Sequence, residues 1–404
     1  MTTETTNHIT MKSLKLILFL LLVAMPICAR EGTGIFNKEH MNVSVYTRYQ
    51  SMLDWHDIYN DMLDSHTSVL TGVQVGLDTH PSDGNWWAKA YNYPSLSLGF
   101  SYDHSSLMKT KPGTNLGDFF NLYLATEFDL FRIGSFSFGP VLELGVSYCT
   151  DTYNPRRNIS NKFIGSNILA DLSAGIEASL LVHPHWEVAM TGYFVHHSNG
   201  MTNSPNLGTN QLAAGAKLKY YLAEQQSYKK VDIEKPDYPK GFHWNVYTAF
   251  GGHSCDWELN AKGPEAYPVK FRLRAILGLE ASLRYHRLFS TGVALEGNYA
   301  DHAYKETDLL IMGMEDPNGY SPFYTSVNLS QYLHYSNFSV NFTWGKYIYK
   351  KTGIIEDIPD TFQRVGVRYH LPKFKFGQAY LSFGMRAHYF DRSYCLEYGT
   401  GISF

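Results

Sequence analysis

Residues 164–183 read IGSNILADLSAGIEASLLVH, and apolar and polar side chains alternate along this stretch. One parity carries Ile168, Ala170, Leu172, Ala174, Ile176, Ala178, Leu180 and Val182. The other parity carries Asn167, Asp171, Ser173, Glu177 and Ser179. A period of two residues places the two sets on opposite faces of an extended chain. The stretch therefore predicts a β-strand with one apolar and one polar environment.

The same alternation recurs from residue 41 onward and predicts a series of further strands. They begin near residues 41, 68, 94, 119, 136, 164, 185, 211, 242, 271, 289, 326, 338, 362, 377 and 394. Short turns and long polar connections alternate between them, which is typical of bacterial outer-membrane barrels. Residues 79–93 form a long connection where a short turn is expected. The first pair of strands is therefore less well defined, and the predicted number of strands ranges down to about fourteen. The sequence thus predicts an all-β fold, a single transmembrane antiparallel β-barrel of about 14–16 strands.

The charge balance is close to neutral, with 34 lysines and arginines against 37 aspartates and glutamates and a formal net charge of −3. A nucleic-acid-binding protein needs a basic surplus to hold phosphates, so the composition excludes this class. The chain has one long apolar run, which excludes a bundle of membrane-spanning helices. Charged residues at 18% and aromatic residues at 15% suit a transmembrane barrel, because only alternate residues of its strands face lipid.

The apolar run, residues 16–25, follows two lysines and precedes residues of small or modest size. This order is typical of a secretory signal peptide. We therefore predict a signal peptide over residues 1–29 and an outer-membrane barrel over residues 30–404. A lipid anchor on Cys28 is the alternative, but the bulky Ile27 stands where such anchors need a small residue.

The C-terminal residues repeat the alternation and end on an aromatic side chain. Leu396, Tyr398, Thr400, Ile402 and Phe404 share one parity. This ending is similar to the signal by which the barrel-assembly machinery recognises outer-membrane barrels, so we expect Phe404 to act in this way. Together with the signal peptide, this C-terminal pattern predicts a bacterial outer-membrane protein that crosses the membrane many times.

The candidate chemistry lies in residues 194–200, which read FVHHSNG. In an extended strand His196 and Ser198 point to the same side. An imidazole and a hydroxyl that neighbour each other in this way can form an activated serine. The side-chain amide of Asn199 and the backbone N–H of Gly200 are candidates for stabilising an oxyanion.

The parity of this strand decides which way the pair faces. His196 and Ser198 continue the even-numbered stripe, which is apolar, whereas His197 falls on the odd-numbered one. The strand is the seventh and runs outward from a periplasmic start, so we expect the pair at the outer-leaflet rim. Because polar groups that face lipid are costly without a function, this position predicts an acylated membrane lipid as substrate. A porin-like or otherwise non-catalytic barrel is the alternative.

The same segment resembles a known protein family. The shared positions are His196, Ser198 and Asn199, then Pro205, Asn206, Gly208 and Asn210, with weaker likeness at residues 85–94, 153–155 and 161–166. Over residues 70–223 the sequence is similar to the outer-membrane lipid A 3-O-deacylase family, also called PagL-like acyloxyacyl hydrolases.

The resemblance implies an ester hydrolase that removes a fatty acyl chain from lipid A of lipopolysaccharide. It implies Ser198 as the nucleophile and His196 as the base. Asn199, Gly200 and Asn206 are assigned to the oxyanion-stabilising or substrate-binding part. The sequence contains no phosphate-binding glycine loop and no zinc or calcium motif, so we predict neither a metal nor a cofactor.

Asn210 belongs to this shared string but departs from the best-known members of the family. The best-known members carry a glutamate about a dozen residues after the serine, and that residue orients the histidine. An amide can accept a hydrogen bond from the imidazole, but it lacks the charge that stabilises imidazolium. We therefore assign Asn210 as the third catalytic residue and expect reduced turnover.

Residues 242–404 add further strands to the deacylase-like half at 70–223. We interpret residues 224–241 as a linker within one large barrel, because the linker is short and the insertion signal lies only at the C-terminus. Residues 334–337 repeat the His-x-Ser-Asn string without its sequel, and we interpret this repeat as coincidence. The sequence predicts lipid A as a partner and no nucleic acid, and it does not determine an oligomeric state.

Overall fold

The computed structural model describes residues 38–53, 62–111, 113–225, 233–254, 263, 267–301, 321–351, 359–389 and 392–404. The predicted signal peptide at residues 1–29, with Cys28, lies outside these residues. Two compact units make up the chain. The first comprises Met1–Ser198 and Gly208–Glu234, and the second comprises Asn199–Leu207 and Lys235–Phe404. Within the described residues, no helix is long and apolar enough to cross a membrane.

The first unit contains a closed antiparallel barrel of eight strands. The strands of this unit are β1 (Met41–Met52), β2 (Thr67–Asp78), β3 (Ser95–Asp103), β4 (Lys109–Thr110), β5 (Thr114–Asn115), β6 (Phe119–Glu127), β7 (Phe131–Ile133), β8 (Phe136–Cys149), β9 (Ile168–His183), β10 (Trp186–Ser198) and β11 (Thr209–Tyr221). Strands β4, β5 and β7 are short and lie outside the barrel. The barrel order is β6-β3-β2-β1-β11-β10-β9-β8, and pairing of β6 with β8 closes it. The helical segments are Lys38–His40, Pro81–Asp83, Trp86–Ala90 and Ser105–Leu107.

The second unit contains another closed barrel of eight strands. Its strands are β12 (Gly241–His253), β13 (Arg272–Arg284), β14 (Phe289–Ala300), β15 (Phe323–Tyr335), β16 (Phe338–Tyr349), β17 (Thr361–His370), β18 (Gln378–His388) and β19 (Arg392–Ser403). They pair in chain order, and pairing of β12 with β19 closes the barrel.

The structure confirms the all-β antiparallel barrel prediction and corrects the number of barrels. All sixteen predicted strands are present, and each begins within four residues of its predicted start. The prediction of a single barrel was wrong, because β1 pairs with β11 and completes a circle before residue 224. Alternation specifies the faces of a strand, but the size of a barrel depends on which distant strands pair.

The two faces of the strands differ as predicted. In both barrels, residues of one parity are buried and those of the other are exposed and apolar. Met190 on β10 and Leu277 on β13 expose 68% and 65% of their surface. Such a continuous apolar exterior is unfavourable in water and is typical of a transmembrane β-barrel.

The barrel interiors are occupied by paired charges. In the first barrel the guanidinium of Arg48 donates to both carboxylate oxygens of Glu143, at 2.8 and 2.6 Å. In the second barrel Arg386 donates to Glu397 at 2.6 Å and to Glu296 at 3.1 Å. The interior of an eight-stranded barrel is just wide enough for side chains to fill it. These interiors therefore give the porin-like alternative no support.

Candidate active site

Strand β10 presents His196 on the outward parity of the first barrel. The odd-numbered residues from Glu187 to His197 are buried, whereas Trp186, Val188 and Met190 are exposed. His196 and His197 lie on their predicted faces, whereas Ser198, which we expected beside His196 at the lipid-facing rim, is buried with 1% of its surface exposed. In the pairing of β10 with β11, His196 stands opposite Asn210.

The imidazole of His196 contacts the Asn210 side chain across the two strands. The distance from His196 Nδ1 to Asn210 Oδ1 is 2.7 Å. An amide oxygen only accepts hydrogen bonds, so the contact requires a proton on Nδ1. In the neutral imidazole this tautomer leaves a lone pair on Nε2, which is the atom that a general base needs.

Gly208 brings the side chains of His196 and Ser198 to a common point. A Cβ added to Gly208 would lie 3.0 Å from the His197 carbonyl oxygen, 3.2 Å from His196 Cε1 and 3.4 Å from Ser198 Cβ. Gly208 has a φ of +71°, and its N–H donates to the carbonyl oxygen of Phe163 at 3.0 Å. The sequence motif includes Gly208, but nothing in it indicates the contact with Phe163. The positive φ explains the glycine, because a residue with a Cβ is strained in this conformation.

The remaining predicted site residues lie in the segment 199–207, which is part of the second unit. The backbone N–H of Asn199 donates to Asn206 Oδ1 at 3.0 Å, and the side-chain amide of Asn199 donates to the Asn203 carbonyl at 2.8 Å. Gly200 has a φ of +61°. Both donors of Asn199 thus have partners inside the segment, and the oxyanion roles of Asn199, Gly200 and Asn206 stay predictions.

His197 is held inside the first barrel, on the face of β10 opposite His196. Its Nδ1 lies 3.2 Å from Thr209 Oγ1, and its Nε2 lies 3.6 Å from Asp171 Oδ1. The ring of Phe119 packs against the imidazole with a centroid distance of 4.6 Å. These contacts fix the adjoining ends of β10 and β11, which carry His196 and Asn210.

An apolar groove lies on the outer surface of the same strands. Its volume is about 690 Å³, and its lining includes Val45, Ala178, Leu180, Val188, Met190, Ala216 and Leu218. Gly192 lies between this groove and His196 along β10. A Cβ added to Gly192 would meet only Ile176 Cγ1, at 3.9 Å, so the surface there is open.

Among the described residues, no group of three histidine, cysteine, aspartate or glutamate side chains is arranged to hold a metal ion. The candidate site therefore consists of an outward-facing imidazole, a nearby serine and an amide acceptor. Such a set can transfer protons and form a covalent bond to an electrophilic carbon.

Two of the solved structures that align with this chain share little sequence with it. A crystal structure described as the outer membrane enzyme PagL aligns with 44% of this chain and 98% of its own, at 14% identity and a TM-score of 0.27. A triple mutant of Rhodopseudomonas blastica porin aligns with 90% of this chain and 99% of its own, at 10% identity and a TM-score of 0.17. TM-scores this low carry no structural argument. No protein of curated function matches the sequence.

Family models give matches over both parts of the chain. Residues 71–219 match the model described as lipid A 3-O-deacylase (PagL). Residues 242–404 match the model described as acyloxyacyl hydrolase, C-terminal domain. The resemblance predicted over residues 70–223 is thereby confirmed, and the chain carries a PagL family segment followed by an acyloxyacyl hydrolase C-terminal segment.

Proposed function

We propose that this protein is an ester hydrolase of the bacterial outer membrane that removes a fatty acyl chain from lipid A of lipopolysaccharide. Ser198 is the nucleophile, His196 is the general base, and Asn210 orients His196. The observation that carries the proposal is the 2.7 Å contact between His196 Nδ1 and Asn210 Oδ1. This contact leaves Nε2 as the basic atom on the face of the strand that carries Ser198.

In the proposed reaction, Ser198 Oγ attacks the carbonyl carbon of the ester while its proton passes to His196 Nε2. The tetrahedral oxyanion collapses by breaking the bond from carbon to the sugar oxygen, and His196 returns the proton to that oxygen. Water then attacks the acyl-serine and gives a proton to the same nitrogen. The fatty acid leaves, and Ser198 recovers its proton.

The outward direction of His196 supports a substrate that stays in the membrane. The apolar groove reaches Met190, which is six residues from His196 along β10. At ~3.3 Å per residue this separation is roughly 20 Å, comparable to an extended fatty acyl chain. We therefore place the sugar end of the lipid near Ser198, at the outer leaflet, and an acyl chain along the groove.

The proposal also includes the finer assignments made from the sequence. Asn199, Gly200 and Asn206 stabilise the oxyanion or bind the substrate, and no cofactor takes part. Residues 1–29 direct secretion, residues 224–241 link the two family segments, and Phe404 signals insertion by the barrel-assembly machinery.

Mass spectrometry of lipid A tests the proposed function. Lipid A from cells that produce the protein is expected to lose the mass of one acyl chain compared with lipid A from cells that lack it, and the matching free fatty acid should appear. Unchanged lipid A in cells whose outer membrane contains the folded protein would instead support a passive barrel.

Replacing Gly208 with alanine is expected to lower the hydrolysis rate about tenfold, which corresponds to ~1.4 kcal/mol. The added methyl group would press on the His197 carbonyl oxygen and on the imidazole of His196, and the φ of +71° adds strain of about 1 kcal/mol. Hydrolysis rates and urea unfolding measure the two effects.

Gly134→Ala is the matched control, because Gly134 has a φ of +59° but no atom within 4 Å of the added Cβ. It should share the loss of stability and keep the activity. An equal loss of activity in both variants would contradict a local role for Gly208.

A further inference from the structure

The second barrel carries a polar layer at the end where tight turns join its strands. We name it the turn-end layer, and it consists of Arg284, Ser290, His334, Ser339, Arg368 and His370. All six lie on the inward parity of strands β13 to β17, and Ser290, His334 and Ser339 are buried. The layer is separate from the outward-facing site of the first barrel in every residue.

His334 begins the string at residues 334–337 that repeats the His-x-Ser-Asn pattern. Its Nε2 lies 2.8 Å from Ser290 Oγ on the neighbouring strand. Ser336 of the same string lies in the turn after β15, with a φ of +51°. The string thus supplies an inward-facing histidine to the turn-end layer.

Two serine–imidazole pairs stand side by side in this layer. Ser339 Oγ lies 3.0 Å from His370 Nε2, and the ring centroids of His334 and His370 are 6.4 Å apart. If Nε2 accepts the serine proton, the imidazole presents an N–H at Nδ1. If Nε2 donates, the serine hydroxyl presents its own proton. In either tautomer each pair contains an N–H or O–H group besides the one in the contact.

The guanidinium groups of Arg284 and Arg368 both act electrostatically on the two imidazoles. Arg368 also contacts the Glu280 carboxylate at 3.4 Å and lies 4.6 Å from the centre of the Tyr380 ring. Tyr380 is 1% exposed, and its hydroxyl has no hydrogen-bond partner among the described residues. A buried hydroxyl without a partner is costly, so it indicates a missing acceptor.

The turns around this end add further positive charge. Lys373 and Lys375 are exposed in the turn between β17 and β18, and Arg287 lies in the turn between β13 and β14. Arg287 Nε donates to the Pro236 carbonyl at 2.8 Å, which holds this guanidinium at the barrel end. Clustered cations raise the local concentration of anions.

We propose that the turn-end layer binds a tetrahedral oxyanion, namely a phosphate group of free inorganic phosphate or of a phospholipid headgroup. Phosphate oxygens can accept from several N–H and O–H donors at once and pair with a guanidinium. The two serine–imidazole pairs, the guanidiniums and the Tyr380 hydroxyl supply these donors. This inference goes beyond the proposed ester hydrolysis and does not depend on it.

Equilibrium dialysis of the full chain in nonionic detergent with radiolabelled inorganic phosphate tests the site. The expected result is saturable binding of about one phosphate per chain, displaced by sulfate and unaffected by chloride at the same ionic strength. The double variant Ser290→Ala/Ser339→Ala should weaken binding about tenfold, which corresponds to ~1.4 kcal/mol.

The matched control is Ser326→Ala/Ser330→Ala, which removes two buried inward-facing serines of the same barrel outside the layer. It should bind phosphate like the unaltered chain. Heat-dependent migration on gels verifies that each variant is folded, and His370→Gln replaces the first double variant if that one does not fold. Three results would overturn the proposal. They are an absence of saturable binding, displacement of phosphate by chloride, and an equal loss of binding in both double variants.

A second experiment, with the protein in lipid nanodiscs, distinguishes free phosphate from a phospholipid headgroup. The dialysis is repeated with the protein in nanodiscs of phosphatidylglycerol and in nanodiscs of a phosphorus-free galactolipid. Displacement of the label only by phosphatidylglycerol supports a headgroup as the occupant, and retention of the label in both supports free phosphate. Loss of binding in both nanodiscs counts against the site.

Discussion

Replacing Ser198 with alanine is expected to lower the rate of lipid A deacylation by about a thousandfold or more, because the reaction then has no nucleophile. His196→Gln should give a loss of similar size, since the serine then lacks its base. The double variant should be no worse than either single variant, because the two residues act as one unit. Lipid A mass spectrometry on purified membranes measures all three.

Ser44→Ala is a suitable control for this prediction, because Ser44 is a buried serine on the inward face of β1 in the same unit and donates to Gln74 Oε1 at 3.1 Å. It should keep full activity. Persistent deacylation by a correctly inserted Ser198→Ala variant would assign the chemistry to other residues.

Replacing Asn210 with glutamate is expected to raise the turnover rate about a hundredfold, or roughly 2.7 kcal/mol in the barrier. A carboxylate opposite His196 would stabilise the imidazolium that forms when Ser198 loses its proton, which the amide cannot do. The same carboxylate would sit where Asn210 is only 7% exposed, so we also expect a lower stability, by about 1–2 kcal/mol. Initial rates and denaturant unfolding measure the two effects.

Asn210→Gln is the matched control for Asn210→Glu, because glutamine has the same length and shape without the charge. Only the glutamate variant should gain turnover. A gain in both would assign the effect to side-chain length, and a gain in neither would contradict the role of Asn210 as the acceptor for His196.

The strands and their faces could be predicted from the sequence, because alternation is a local property. Strand β9 shows this, since Asp171, Ser173 and Glu177 are buried as the alternation indicated. The number of barrels could not be predicted in the same way. It depends on the pairing of β1 with β11 across more than a hundred residues, and no local pattern encodes this register.

The candidate site was predictable to a similar extent. Parity placed His196 and His197 on opposite faces, as the structure has them. The spacing of the motif included Asn210, but its position opposite His196 follows from the register between β10 and β11. The hydrogen bond from Gly208 to Phe163 joins segments that are far apart in sequence. It could therefore not be predicted from local spacing.

The separate closure of the two barrels has a consequence for how the chain can change over time. Every backbone ladder between barrel strands joins two members of the same ring, so no strand of one ring completes the other. A shift of register or a lost strand in one ring would leave the hydrogen-bond ladder of the other whole. Substitutions on the surface of one barrel can therefore be selected without disturbing the backbone pairing of the other barrel.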